Sequence, residues 1–333
     1  MTDVNVPTAP ESSTTALRRR RPRLTFDNVS FFAVFLGVPL VIYLIFVISP
    51  FAQAIYYSMT NWSGFSPDMK FIGLKNYQRL FTDEIFLKAL GNNVFLAIVL
   101  PVTTIILALA LATMATVGGS SVGEIRGLRG SALYRVVTFF PYVVPAVAIG
   151  IIWSMMYDPS SGLVNGILVD VFQIKSLDSF AWLGDPRTAM LATIFVILWS
   201  MTGFYMVLFI AAIQGVDKEI FEAARLDGAG RFRTAVSITL PLIRENVQTA
   251  YVYLGILALD AFVYMQVMNS AGGPEYSTVV MSQRLFKAAF TDGQAGLASA
   301  MGVVLAVVTL LFASLVFTVN RLTGGDSEKK GKR

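Results

Sequence analysis

Six long apolar runs divide this chain, at about residues 31–51, 93–115, 136–157, 189–213, 247–268 and 297–320. A helix needs about 20 residues to cross roughly 30 Å of hydrocarbon, and every run has 21 to 25. An open sheet cannot make that crossing, because its edge N–H and C=O groups go unpaired in lipid. The pattern therefore predicts an all-α integral membrane protein with six transmembrane helices over residues 31–320. Polar segments punctuate the runs. Residues 1–30 read as a disordered basic tail, 214–246 as a charged loop, and 321–333 as a second basic tail. The first run exceeds the roughly 7–15 residues of a signal-peptide core, and no small-x-small cleavage site follows, so an uncleaved anchor is expected. The arginine run RRRRPR at 18–23 is not followed by apolar residues in the manner of a twin-arginine signal.

Composition agrees with the pattern, since only 14% of residues are charged, where a soluble domain carries about 25%. Eighteen of the 26 Lys and Arg residues fall in four places: the N-terminal tail, the loops after the second and fourth runs, and the C-terminal tail. The positive-inside rule then predicts a multi-pass plasma-membrane protein with both termini and segment 214–246 in the cytoplasm. The net charge of +5 is explained by the membrane surface, so no nucleic-acid partner is expected. Without His or Cys there is no disulfide framework, thiol nucleophile or zinc site; no catalytic residue and no metal are expected. GGSSVGEIRG at 118–127 lacks the Lys-Ser/Thr that holds phosphate and magnesium, and G-x-x-x-x-G-K-[ST] occurs nowhere, so no cofactor is expected on this chain.

Segment 214–246 reads as two short helices about a glycine hinge. Asp217 is placed to cap the first, with Glu219 in its first turn. Gly228 stands at the left-handed position after it, Gly230 adds a second break, and a helix over 231–238 leads to Pro241 in the first turn of the next helix. Ile220, Phe221, Ala223 and Ala224 form a small apolar face. A helix this short is poorly stable alone in water. It either docks on another protein surface or lies on lipid.

The stretch EAARLDGAGRFRTAVSITLPL at 222–242 resembles the EAA loop of binding-protein-dependent ABC importers. That pattern is E-A-A, three residues, G, nine residues, I-x-L-P; here Glu222-Ala223-Ala224, Gly228, Ile238, Leu240 and Pro241 match it. FIGLKNYQRLF (71–81), PYVVPAVAIGIIWSMMY (141–157), GLVNGIL (162–168) and AGGPEYST (271–278) extend the likeness to the sugar-permease branch. Within it the chain is similar to the first permease subunit of the maltose and glycerol-3-phosphate importers. Asn269-Ser270-Ala271 stand where that branch has a threonine before the glycines. The resemblance implies a permease subunit that forms half of a pathway with a second homologous permease. It also implies two cytoplasmic ATP-binding subunits, which hold the ATP and magnesium, and an extracytoplasmic sugar-binding protein. It makes Glu222 the charged anchor of a coupling helix, Ala223 and Ala224 its close-contact face, Asp227 and Gly228 its turn, and Ile238, Leu240 and Pro241 its link to the fifth span.

Asp260 is the one formally charged residue within the six runs, where a carboxylate costs about 2.5–3.5 kcal/mol. Tyr253, Asp260 and Tyr264 are spaced by seven and four, which would put them on one helix face. Such a face suits a sugar, with the carboxylate for hydroxyls and the rings for apolar faces; it equally suits a structural bond to another helix. Trp199 and Gln266 are further pathway candidates, while Trp153 and Tyr157 read as interface-belt aromatics. The alternative is a secondary transporter or channel for a small polar solute, which predicts internal repeats, discontinuous helices and several intramembrane ionisable groups. A membrane enzyme would need clustered carboxylates facing a span interior, and none is evident.

Overall fold

The computed structural model describes residues 30–116 and 131–330. Nearly all of the expected N-terminal tail, the arginine run and the 118–127 segment lie outside the described residues. The chain divides into two compact units, Met1–Ala52 and Gln53–Arg333. Helix α1, Ser30–Ser58, carries the first unit's described residues. Its side chains from Phe31 to Phe51 are almost all apolar and exposed, a surface that lipid rather than water can cover.

Among its described residues the second unit is mostly helical, with one isolated antiparallel bridge between Thr60 and Phe71. It runs through α2 (Lys75–Thr82), α3 (Glu84–Thr116), α4 (Ser131–Val143), α5 (Ala146–Met156), α6 (163–171) and α7 (Ala189–Gln214). Then come α8 (Lys218–Leu226), α9 (231–242), α10 (Arg244–Leu259), α11 (Phe262–Met268), α12 (281–291) and α13 (Ala295–Lys330). Among the described residues four helices are long and apolar enough to cross a membrane: α1, α3, α7 and α13. Two pairs, α4–α5 and α10–α11, reach that length only together, bent by 97° and 43°. With each pair taken as one span the total is six.

The 97° bend corrects the third run, which reads in sequence as one straight span. Proline at 145 disfavours a helical conformation at Val144, and Pro145 itself is extended (φ −54°, ψ 135°). Helix α13 continues to Lys330, into the basic segment after the sixth run. Helix α3 is the axis of the second unit, with α7 and α10 packed along it. Three apolar clusters sit at successive levels of α3. Leu80, Phe86 and Ala89 lie at its start, Leu96, Ala97 and Leu100 in its middle, and Ala108, Ala112 and Ala115 towards its end. Trp153 and Tyr157 are buried in the middle cluster, so they are core residues rather than a belt. Glycine sets the closest crossing: a Cβ at Gly203 would collide with the Thr138 carbonyl, which lets α7 lie against α4.

Two quoted sequence segments have clear physical jobs. Asn76, buried, donates from Nδ2 to the carbonyls of Ser58 and Thr60, both at 2.8 Å, and the Tyr77 hydroxyl meets Ser58 Oγ at 2.7 Å. These bonds fasten the end of α1 that lies within the second unit. Asn165 donates to the Phe180 carbonyl at 3.0 Å and accepts the Trp182 indole N–H at 2.6 Å, which folds the long 157–188 connection.

Candidate functional site

Helix α8 begins at Asp217, whose backbone is extended but whose side chain makes no capping bond. Its C-terminus is a complete left-handed stop. The Gly228 N–H bonds the Arg225 carbonyl at 2.9 Å, the Ala229 N–H bonds that of Ala224 at 2.9 Å, and Gly228 has φ +73°. Asp227 is the C-cap residue and is exposed.

The expected apolar face of α8 is split in two. Phe221 and Ala224 are buried, and Phe221 packs in the cluster of Ala112, Ile213 and Ile243. Glu222, Ala223 and Ile220 face the other way and are exposed, as are Leu226 at 90% and, beyond the hinge, Phe232 at 82%. Ala224 is buried in this chain alone, whereas Ala223 beside it is open. Leu226 and Phe232 are outward residues that sequence reasoning missed. The signal was available, since each is a large apolar side chain beside a glycine hinge in a charged loop.

Pro241 stands in the first turn of the helical piece Leu240–Leu242, which continues α9 from turns at Thr234–Thr239 widened to π geometry. The break before α10 falls at Ile243 (φ −103°, ψ 19°). Ile238 packs partly buried on the cluster under α8. Leu240 and Pro241 line an apolar groove of about 500 Å³ with Tyr251, Leu315 and Val319. The link from hinge to fifth span is thus one helical arm followed by a sharp joint.

The proposed pathway face does not form. Asp260 (φ −110°, ψ 39°) and Ala261 (φ −72°, ψ 35°) interrupt the helix, so the seven-and-four spacing loses its phase. Tyr253 and Asp260 are exposed, whereas Tyr264 is buried and exchanges a 2.9 Å hydrogen bond with Ser200. Among the described residues the Asp260 carboxylate meets no donor. Trp199 is half exposed and stands edge-on to Trp153, with ring centroids 5.5 Å apart. Gln266 accepts a 3.3 Å bond from Gln283 and lines a cavity of about 270 Å³ with Tyr276, Arg284, Lys287 and Thr291. The residues lining this cavity do not include Asp260, Tyr253, Tyr264 or Trp199.

Sequence reasoning also missed the polar contacts at the start of α3. Asp83 Oδ1 accepts the N–H groups of Ile85 (2.9 Å) and Phe86 (3.3 Å), capping α3, while Oδ2 pairs with Arg284 at 2.7 Å. Burial raises the Asp83 pKa, but the Arg284 hydrogen bond, the two N–H groups and the guanidinium charge outweigh it and hold the carboxyl below its usual range. Asp158, in the connection after α5, is also lowered, by the N–H groups of Ser161 and Ser160.

Apolar helices bundled on a central span, with a short helix held at one end by two side chains and turning its acidic face outward, define a polytopic permease subunit. Residues 115–324 match the family described as "Binding-protein-dependent transport system inner membrane component", and the chain belongs to it. It is 58% identical over 324 residues to the diacetylchitobiose uptake system permease protein NgcF of Streptomyces coelicolor, covering 97% of this chain and 92% of that protein. It is 38% identical to the probable ABC transporter permease protein YurN of Bacillus subtilis, over 82% of this chain and 90% of that one. A bacterial alginate ABC transporter, solved in complex with an alginate pentasaccharide-bound periplasmic protein, has a chain of the same fold. The TM-score is 0.75 at 22% identity, over 89% of this chain and 96% of that one. Bent spans, a mark of secondary transporters, therefore occur here within an importer family.

Proposed function

We propose that this chain is the membrane-spanning subunit of an ATP-driven carbohydrate importer and works by alternating access. The name of the 58% identical relative makes an N-acetylated chito-disaccharide the first substrate to test. In this reading the charged loop and both termini are cytoplasmic, following the Lys and Arg distribution. A second homologous permease completes the pathway, two ATPase subunits hold ATP and magnesium, and an extracytoplasmic sugar-binding protein delivers the solute. Asp260, Tyr253, Tyr264, Gln266 and Trp199 stay candidates as separate contacts along the pathway rather than as one face.

The observation that carries the reading is the split of α8. One side, Phe221 and Ala224, is fixed to the bundle; the other offers Glu222, Ala223, Ile220 and Leu226. A helix held this way passes a push from its outward face through α9 and the joint at Ile243 to α10. Glu222 supplies a charge for cations in an ATPase cleft, and Leu226 and Phe232 supply apolar anchors, since charge sets register and buried apolar side chains supply affinity. No step needs chemistry on this chain. Glu222→Lys reverses the charge of the outward face. Gly228→Asp puts a side chain at φ +73°, where it is strained. Both variants should insert normally, fail to hold the ATPase subunits in pull-down, and lose uptake of labelled disaccharide. Wild-type uptake by both would refute the coupling role.

A further inference from the structure

The break in the fifth span is held from one side by a single buried amide. In a continuous helix the Leu259 carbonyl would bond four residues ahead; the turn at Asp260–Ala261 diverts the backbone from that course. Asn93 of α3 meets that carbonyl instead, donating from Nδ2 at 2.6 Å. Its Oδ1 accepts the N–H of Met281, the first residue of α12, at 2.8 Å. Asn93 has no exposed surface. One side chain therefore ties three elements at the point where the span bends.

The two sides of the break differ. Beyond it, α3 grips residues 275–284 repeatedly. Asn92 Nδ2 donates to the carbonyls of Ser277 (3.1 Å) and Val279 (2.8 Å), Lys88 Nζ to that of Glu275 (2.8 Å), and Arg284 pairs with Asp83. Helix α11 joins the same body through Gln283 Nε2 to the Asn269 carbonyl (3.0 Å) and Asn269 Nδ2 to Thr193 Oγ1 (2.6 Å). Before the break the character changes. Among the described residues, side chains 246–258 make hydrogen bonds only within α10, and that helix packs through Ala250, Leu254, Gly255 and Ala258. Tyr251 stacks on Phe312 of α13, with ring centroids 5.9 Å apart. Apolar contacts of this kind lack direction and allow packed helices to shift; directional bonds to a buried amide do not.

We infer that Asn93 is the pivot pin of the transport cycle. It is a positioning residue that holds the Leu259–Ala261 break on α3, so that displacement of α10 becomes a bend at Asp260 while the body of α11, α12 and the start of α3 stays fixed. The inference rests on the importer reading above, in which α9 and α10 receive the push.

The test uses the full importer in proteoliposomes, with the sugar-binding protein and labelled diacetylchitobiose, measuring sugar moved and phosphate released. If wild-type uptake does not depend on ATP, the importer reading falls before any variant is compared. Given ATP-dependent uptake, N93A and N93D should insert at wild-type levels and keep hydrolysing ATP. Sugar moved per ATP should fall about tenfold, the scale of a coupling free energy between sites. N93D tests the donor alone, because it keeps an acceptor for Met281. N92A, which frees the loop but not the break, should keep the wild-type ratio. An unchanged ratio in N93A, or a proportionate fall in uptake and hydrolysis, overturns the inference. Should Asn93 variants not insert, the hinge is measured with Asn93 intact, which the cysteine-free chain allows. Spin labels at Asn246→Cys with Phe290→Cys should change separation by a few Å or more on trapping with ATP and vanadate, as in a hinge motion. Labels at Leu87→Cys, at the start of α3, with Phe290→Cys should not. Equal changes in both pairs, or none in either, overturn it.

Discussion

Asp83 illustrates how much one carboxylate can hold in this protein. It ends no apolar run and matches no motif, yet it caps α3 with one oxygen and pairs with Arg284 across 201 residues with the other. Its folded pKa lies below the unfolded value of about 3.9, so the pair's stabilisation is complete above that pH and is lost as pH falls through the lower folded value. Asp83→Asn should therefore lower stability by roughly 1 kcal/mol at pH 7. The gap between variant and wild type should close as thermal unfolding in detergent is followed down to about pH 3. A gap that stays constant over that range would mean that the charge contributes nothing. Single residues also mark where sequence reasoning stops. The adjacent amides Asn92 and Asn93 in an apolar run were a visible signal, but their partners lie more than 160 positions away and leave no trace in local pattern. The motif names Ala223 and Ala224 alike; only the burial of Phe221 and Ala224 shows which side of α8 turns inward.

Elements were legible where the signal is local. Run length predicts spans because helical rise and bilayer thickness are fixed, and the loop spacing from Glu222 to Pro241 needs no tertiary knowledge. The Schellman stop at Gly228 was readable for the same reason. What failed was the assumption of continuity. The seven-and-four face of Tyr253, Asp260 and Tyr264 requires an unbroken helix, and the break at Asp260–Ala261 has neither proline nor glycine to announce it. The bend at Pro145 did have a proline, but a proline alone does not set its 97° angle, and α5 beyond it packs on α11. For α8, the element-scale expectation concerns its anchor. Phe221→Ala removes a buried ring, a loss of about 3–5 kcal/mol where a cavity remains. Residues 218–226 should then exchange amide hydrogens far faster than in wild type, while α3 and α7 keep their protection. Equal exchange in variant and wild type would show that α8 is held by something else.

At the scale of the whole molecule, the charge distribution predicts one topology. The chain has no cysteine, so single substitutions report cleanly. In intact cells a membrane-impermeant thiol reagent should label Lys175→Cys in the long connection after α5. It should label Phe232→Cys only after the membrane is opened. The reverse pattern would invert the orientation and with it the placing of the motor subunits. The same scale explains why the solute stays the least legible feature. No run contains a basic residue, and Asp260 is the one formally charged residue within the runs, so the sequence offers few polar groups from which a solute could be read.

The division of α8 into a moored side and an open side has an evolutionary corollary. Ile220, Glu222, Leu226 and Phe232 could change together without disturbing the buried ring and methyl that hold the helix in place. If that open side meets the ATPase as proposed, a transporter of this build could be refitted to a different power unit by altering a handful of surface positions, leaving the conduit itself untouched.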